Sequence, residues 1–135
     1  MSWNCAVDGK AEIPDDVSVC PACGSPRPSS LVLAGSDGRV ESRLNLSVGS
    51  ALLEGAVGHD AVYCAARQYD ISRNDDDGRW YLQTFNGSTK NLTAVNGTVC
   101  SDELIPLENG DVISVCSKND PAKTAAAVTV EIIWL

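Results

Sequence analysis

The chain is poor in aromatic mass and in histidine. One Phe, three Trp, three Tyr and one His are spread over 135 residues. A core must therefore come mainly from Val, Leu, Ile and Ala. No segment approaches the roughly 18–20 consecutive apolar residues that a membrane-crossing helix needs. The opening Met1-Ser2-Trp3-Asn4-Cys5 lacks the basic start and apolar run of a secretory leader, so the cytoplasm is the expected location. Positive charge is also scarce: 10 Lys and Arg stand against 18 Asp and Glu, for a net charge of −8. Without a basic cluster there is nothing to release counterions from nucleic acid or to hold an anionic membrane surface. A single His and no Gly-x-Ser-x-Gly elbow argue against a Ser-His-Asp hydrolase. No Gly-x-x-x-x-Gly-Lys-Ser/Thr phosphate loop occurs. Asp75-Asp76-Asp77-Gly78 lacks the alternating spacing and distal Glu of an EF-hand loop and reads as a solvated hairpin tip. The expectation is a protein that binds and does not catalyse.

What the chain does have is cysteine, six residues unevenly placed. Cys5, Cys20 and Cys23 crowd the start, whereas Cys64, Cys100 and Cys116 occur singly. In a reducing compartment such residues are metal ligands or buried thiols more often than disulfides. The later three fit no metal spacing and are expected as buried free thiols in strands, although spacing alone leaves a disulfide between two of them open. Cys20-Pro21-Ala22-Cys23-Gly24 has the two-residue gap that lets two sulfurs converge on one tetrahedral ion. A redox dithiol would want a flanking βαβ pattern, which is missing. Fifteen residues earlier, Cys5-Ala6-Val7-Asp8-Gly9 repeats the spacing with Asp8 in place of the second Cys. Carboxylates bind zinc. The expected set is therefore Cys5, Asp8, Cys20 and Cys23 around a structural zinc, with a ribbon that has lost its metal as the alternative. The segment resembles the zinc-ribbon family: Trp3, Cys5, Cys20, Pro21, Cys23 and Gly24 match its Trp-x-Cys-x-x-Cys and Cys-Pro-x-Cys-Gly strings, and Asp8 departs. His59 reads as a loop residue.

Composition divides the chain. Residues 1–26 are polar and short of large apolar side chains. Gly24 to Ser30 carries two prolines and reads as a connection, with residues 27–30 as the linker proper. From Leu31 the apolar period is two. Leu31 to Ala34, Leu44 to Val48, Gln68 to Ile71, Arg79 to Leu82, Asp111 to Val115 and Ala127 to Leu135 read as strands. They are punctuated by Ser36-Asp37-Gly38, Asp77-Gly78, Asn96-Gly97 and Asn109-Gly110. Short strands with frequent turns indicate an all-β sandwich over residues 31–135. Gly58 to Arg67 is the one helix-like stretch and is expected as a loop leading into a strand. Asn45, Asn86, Asn91 and Asn96 each head a glycosylation sequon, but without export they are turn and strand residues.

Several strings in this half carry a resemblance. Thr89-Lys90-Asn91-Leu92-Thr93-Ala94-Val95-Asn96-Gly97 and Leu107-Glu108-Asn109-Gly110-Asp111-Val112-Ile113 are similar to two motifs of the forkhead-associated (FHA) family. Val48-Gly49-Ser50 stands where that family has Ile-Gly-Arg. Ala65-Ala66-Arg67-Gln68-Tyr69-Asp70-Ile71 stands at its Ser-Arg-x-His-Ala-x-Ile, and Arg79-Trp80-Tyr81-Leu82 at the following strand. The resemblance implies an antiparallel β-sandwich whose loops grip a phosphothreonine peptide, with Ser50, Arg67, Lys90 and Asn91 as the peptide-binding positions here. It also marks departures: Ser50 replaces the phosphate Arg, Ala65 the phosphate Ser, Ala66 its neighbouring Arg, and Gln68 the structural His. Arg67 substitutes for the missing Arg only if the register slips by one, which would turn Ile71 off the core face. Losing two bonds to a charged phosphate costs about 3–6 kcal/mol at roughly 1.5–3 each. The expected function is thus an adaptor that binds a protein or phosphoprotein, with weakened phosphothreonine dependence. A structural subunit without peptide specificity and a true phosphothreonine reader are the alternatives.

Overall fold

The computed structural model describes every residue except Met1, Ala6, Ser18, Pro26, Pro28, Arg43, Leu44, Asp75, Asp77, Pro121 and Leu135. The expected strand start at Leu44, the two prolines of the connection and most of the Asp75–Asp77 tip lie outside the described residues. Two short strands, β1 (Ser2–Trp3) and β2 (Ile13–Pro14), pair antiparallel at the N-terminus. The main body begins with β3 (Ser29–Ala34), β4 (Arg39–Ser42) and β5 (Leu46–Val48). Helix α1 (Ser50–Val57) and a 3-10 turn (Gly58–Tyr63) follow. Then come β6 (Tyr69–Arg73), β7 (Trp80–Thr84), β8 (Leu92–Val95) and β9 (Thr98–Val99). The chain closes with β10 (Ile105–Pro106), β11 (Val112–Cys116) and β12 (Thr124–Trp134).

The strands form two antiparallel layers, ordered β10-β7-β6-β5 and β4-β3-β12-β11-β8-β9. Alternation along each strand places one face between them. Tyr69, Ile71, Trp80 and Leu82 point inward from the smaller layer, and Leu31, Leu33, Ile113 and Val130 from the larger. Trp80, the largest side chain at the centre, satisfies its indole N–H on the Ser29 hydroxyl at 2.9 Å. Ser29 and Ser30, expected in the linker, are the first two residues of β3. Ile71 pairs with Leu82 and faces the core, so the register has not slipped. Asn96 and Gly97, at φ +52° and +83°, form the tight turn between β8 and β9 that their identities require.

The stretch after β5 corrects the sequence reading. Gly58–Tyr63 is a 3-10 turn and not an irregular loop, and a helix that was not anticipated precedes it. Leu53, Ala56 and Val57 recur at helical spacing and are buried. The Gly49 carbonyl accepts the Leu53 N–H at 2.9 Å, and Gly58 at φ +59° ends the helix. Close approach of backbones locates this unit. A Cβ on Gly35 would sit 2.0 Å from the Ala56 carbonyl oxygen, and one on Gly49 only 1.8 Å from that of Ala66. Among the described residues no helix is long and apolar enough to cross a membrane.

The two glycines Gly49 and Gly55 separate packing from propensity. Gly49→Ala must displace backbone and is expected to cost about 3 kcal/mol. A Cβ at Gly55 meets nothing within 4 Å, so Gly55→Ala should add about 0.5–1 kcal/mol through helix propensity. Urea unfolding of both variants measures the opposite signs.

Candidate functional site

Two sets of polar side chains are built into this frame. The first is at the N-terminus, where the chain folds twice into the same small loop. Gly9 N–H donates to the Cys5 carbonyl at 3.0 Å, and Gly24 N–H to the Cys20 carbonyl at 2.9 Å. Both glycines have nearly the same positive φ, +77° and +78°. Each loop then returns: Cys5 N–H meets the Lys10 carbonyl and Cys20 N–H that of Ser25, both at 2.8 Å. In this repeat Asp8 holds the place that Cys23 holds in the second loop. The outer hydrogen bonds repeat as well, since Lys10 N–H donates to Asp8 Oδ1 at 2.9 Å and Ser25 N–H serves Cys23.

The two loops face one another. One ligand atom from each of Cys5, Asp8, Cys20 and Cys23 lies within 4.8 Å of all the others. Cys5 Sγ and Cys23 Sγ are 3.6 Å apart, and Cys20 Sγ is 3.4 and 3.6 Å from the two Asp8 oxygens. Ligands about 2.3 Å (sulfur) or 2.0–2.2 Å (oxygen) from a tetrahedral ion are separated by about 3.5–3.8 Å. The donor set therefore fits such an ion. The acids also compete for ionisation. The Lys10 amide, followed by the Cys5 thiol, holds Asp8 down at about 2. The Asp8 amide favours the Cys5 thiolate, but burial and the Asp8 and Cys23 side chains outweigh it and push that thiol up to about 11. The Ser25 hydroxyl and amide lower Cys23. A divalent cation would relieve this crowding of like charge. Beneath the ligands Trp3, Cys5, Ile13 and Cys20 form a separate buried cluster, with the Trp3 indole N–H on the Val17 carbonyl at 2.8 Å.

The second set lies at one end of the sandwich and is organised by Gln68. This side chain is fully buried. Its Oε1 accepts the Ala65 N–H at 2.8 Å, and its Nε2 donates to the Asn91 carbonyl at 3.1 Å and Thr93 Oγ1 at 3.0 Å. The Thr89 hydroxyl adds a bond to the same Asn91 carbonyl at 2.7 Å. One carboxamide thus ties the segment before β6 to the β7–β8 connection. From that connection Asn91 Nδ2 reaches the Tyr63 carbonyl at 2.8 Å and Lys90 Nζ the Val62 carbonyl at 3.3 Å. Lys90 and Asn91 are therefore brought together over the 3-10 turn. Ser50 begins α1, its N–H on the Ala65 carbonyl at 3.0 Å. Arg67 points elsewhere. It forms a two-pronged ion pair with Asp70, Nε–Oδ1 at 3.0 Å, and lies over the Phe85 ring at 4.7 Å. This pairing holds Asp70 below the usual carboxylate range.

A cavity of about 450 Å³ opens beside Asn91, between Asp60 and Tyr63 on one side and the β11–β12 connection with Lys123 on the other. Asp60 Oδ2 accepts the N–H of Ala126, a non-glycine residue at φ +51° in the bulged stretch of β12. Sequence reasoning missed Asp60, Thr93 and the supporting pair Asn86–Asp102. Asn86 serves both backbone groups of Thr93 and the Cys100 carbonyl, and Asp102 accepts the Asn86 and Gly87 amides. The Asn86 amide thereby holds a loop, in keeping with its reading as a turn residue. Asn96 likewise binds Asp111 and the Val112 amide. All six cysteines are free. Of the later three only Cys116 is in a strand; Cys64 follows the 3-10 turn and Cys100 follows β9. Burial pushes Cys64 up to about 11, which suits an unreactive thiol.

No family model and no curated protein sequence matches the chain. Solved structures do resemble it. The solution structure of the FHA domain of an Arabidopsis thaliana hypothetical protein is 16% identical, with a TM-score of 0.52 over 81% of this chain and 86% of that one. An engineered FHA domain with a Myc-pTBD peptide is also 16% identical, with a TM-score of 0.50 over 81% of this chain and 92% of that one. The fold is FHA-like.

Gln68→Leu keeps the volume but orphans the buried Ala65 N–H and weakens the satisfaction of Asn91 and Thr93. A destabilisation of about 2–4 kcal/mol is expected in urea titration. Hydrogen exchange should show the loss of protection concentrated at residues 65–68 and 89–93.

Proposed function

We propose that this chain is a non-enzymatic interaction adaptor of two parts, a structural zinc ribbon over residues 1–26 and an FHA-like binding module over residues 31–135. The observation that carries the second part is the Gln68 knot. It holds the Lys90–Asn91 connection in a fixed shape at the loop end of a rigid sandwich, where Asn91 Oδ1 and the Lys90 ammonium are available to an incoming peptide. Binding loops held this way lose little entropy when a partner docks. Ser50, Arg67, Lys90 and Asn91 are the proposed peptide-binding set, with unequal roles. Ser50 offers a neutral hydroxyl, Ala65 offers no side-chain donor, and Arg67 is engaged by Asp70. Charge-assisted bonds are about twice as strong as neutral ones. Phosphate dependence is therefore weak in this reading, and Lys90 is the principal cation for any acidic group. The partner is a protein, phosphorylated or not, met in the reducing cytoplasm where six cysteines stay free.

Zinc in the ribbon has a structural role here. Three sulfurs and one carboxylate complete four-coordination and leave no open position for a substrate or an activated water. The ion supplies cohesion to a unit whose own core is a single Trp, an Ile and two ligand cysteines.

Two experiments test these readings. Metal analysis of the purified chain should find zinc at one equivalent, lost in Cys20→Ser and held at least tenfold more weakly in Asp8→Ala. Full retention in Asp8→Ala would exclude Asp8 as a ligand. In a peptide-array screen, partners should bind with less than a tenfold preference for phosphothreonine and should be lost in Asn91→Ala. A preference of a hundredfold or more, abolished by Lys90→Ala, would instead make the chain a phosphothreonine reader.

A further inference from the structure

The residue at the junction of the two parts is Arg27, and its side chain is only 12% exposed. Its guanidinium carbon is 5.7 Å from the centre of the Trp3 ring and 5.1 Å from that of Trp134. Its Nη1 donates to Asp15 Oδ1 at 3.2 Å. Trp3 and Asp15 come from the ribbon, whereas Trp134 closes β12. The Arg27 backbone is held too, its carbonyl accepting Arg73 Nη2 from the end of β6 at 3.0 Å. Two residues later Ser29 pairs with Trp134 across the β3–β12 ladder. Arg27 is thus a cation between two indoles, one from each part, in a segment whose sequence reads as a plain linker.

We propose that Arg27 is a metal-responsive latch, so that occupancy of the Cys5–Asp8–Cys20–Cys23 site sets whether the ribbon is clamped on the sandwich. The inference rests on the metal reading above. Trp3 packs in one cluster with the ligands Cys5 and Cys20. A unit this small does not hold its shape on apolar burial alone, and below roughly 40 residues a metal or a similar staple is usually required. Loss of the ion therefore frees Trp3 and Asp15 together and removes two of the three groups around the guanidinium. Trp134, 41% exposed with the latch closed, then bares more of its ring at the end of β12. Linkage makes the effect reciprocal: what clamps the ribbon also raises its affinity for the ion.

The test uses the full chain labelled with fluorotryptophan, which reports separately on Trp3, Trp80 and Trp134. Removing the metal with a chelator should shift the Trp3 and Trp134 fluorine resonances and leave the buried Trp80 in place. Competition against a chelating dye should show zinc affinity reduced about tenfold by Arg27→Gln and by Trp134→Leu, from the loss of cation–aromatic contact. Trp134→Leu changes no charge and touches no ligand, so its effect separates the latch from simple electrostatic attraction. Unaltered affinity in Trp134→Leu, or a Trp134 resonance indifferent to the chelator, overturns the latch while leaving the zinc site intact. A wild-type chain that binds no zinc fails the metal reading itself and removes the gate with it.

Discussion

The loop end of the sandwich depends on one buried carboxamide. Gln68 brings an acceptor and two donors into a dry interior, and each must be met there because water cannot reach them. The acceptor is met by the Ala65 amide just before β6, the donors by Asn91 and Thr93 at the start of β8. These partners belong to different layers. The same bonds that satisfy Gln68 therefore fix how the two layers' loops stand relative to one another. Lys90 and Asn91 inherit their positions from it. The 3-10 turn completes the arrangement by lending the Val62 and Tyr63 carbonyls to those two side chains.

The N-terminal part is stabilised by a different principle. The sandwich excludes water from a continuous apolar layer, and the hydrophobic effect is its main support. The N-terminal segment has too few apolar residues for that. Its order comes from two backbone loops of the same design, each ending at a glycine with positive φ and each aiming amides at its acidic side chains. Four acidic groups gathered this closely repel when ionised, and the arrangement is compatible with a cation. Arg27 joins the two regimes, because it answers to a ribbon indole and carboxylate on one side and to a sandwich indole on the other.

The local pattern was legible where the chemistry of single residues decides it. Alternation located β6, β7 and β11, and Asn96-Gly97 marked its turn, because both signals arise from a residue and its immediate neighbours. Cys5, Asp8, Cys20 and Cys23 could be grouped from spacing, since two loops of equal length present equivalent positions. Helix α1 was not legible. Its eight residues include Gly55, and its place is set in part by the β3–β4 turn, where Gly35 passes close to the Ala56 carbonyl, a contact between residues about 20 apart in the chain. Cys64 and Cys100 were expected as buried strand thiols, yet Cys64 is buried just beyond the 3-10 turn and Cys100 is only half-buried just beyond β9.

By itself the sequence determined the all-β class and the grouping of Cys5, Asp8, Cys20 and Cys23. Both follow from short-range periodicity and spacing, which survive in a linear string. It also carried motif strings whose order resembles that of the FHA family. Tertiary structure decided which groups were already occupied. Arg67 carries the right charge for an anion but is engaged by Asp70, and Asn91 is partly committed to Tyr63. It also decided that Arg27, flanked by prolines and polar residues, is a half-buried contact and not a free tether. The physical reason is the same in each case: a hydrogen bond, ion pair or ring contact depends on distances between residues far apart in the chain, and only the packing of the two layers and the ribbon sets those distances.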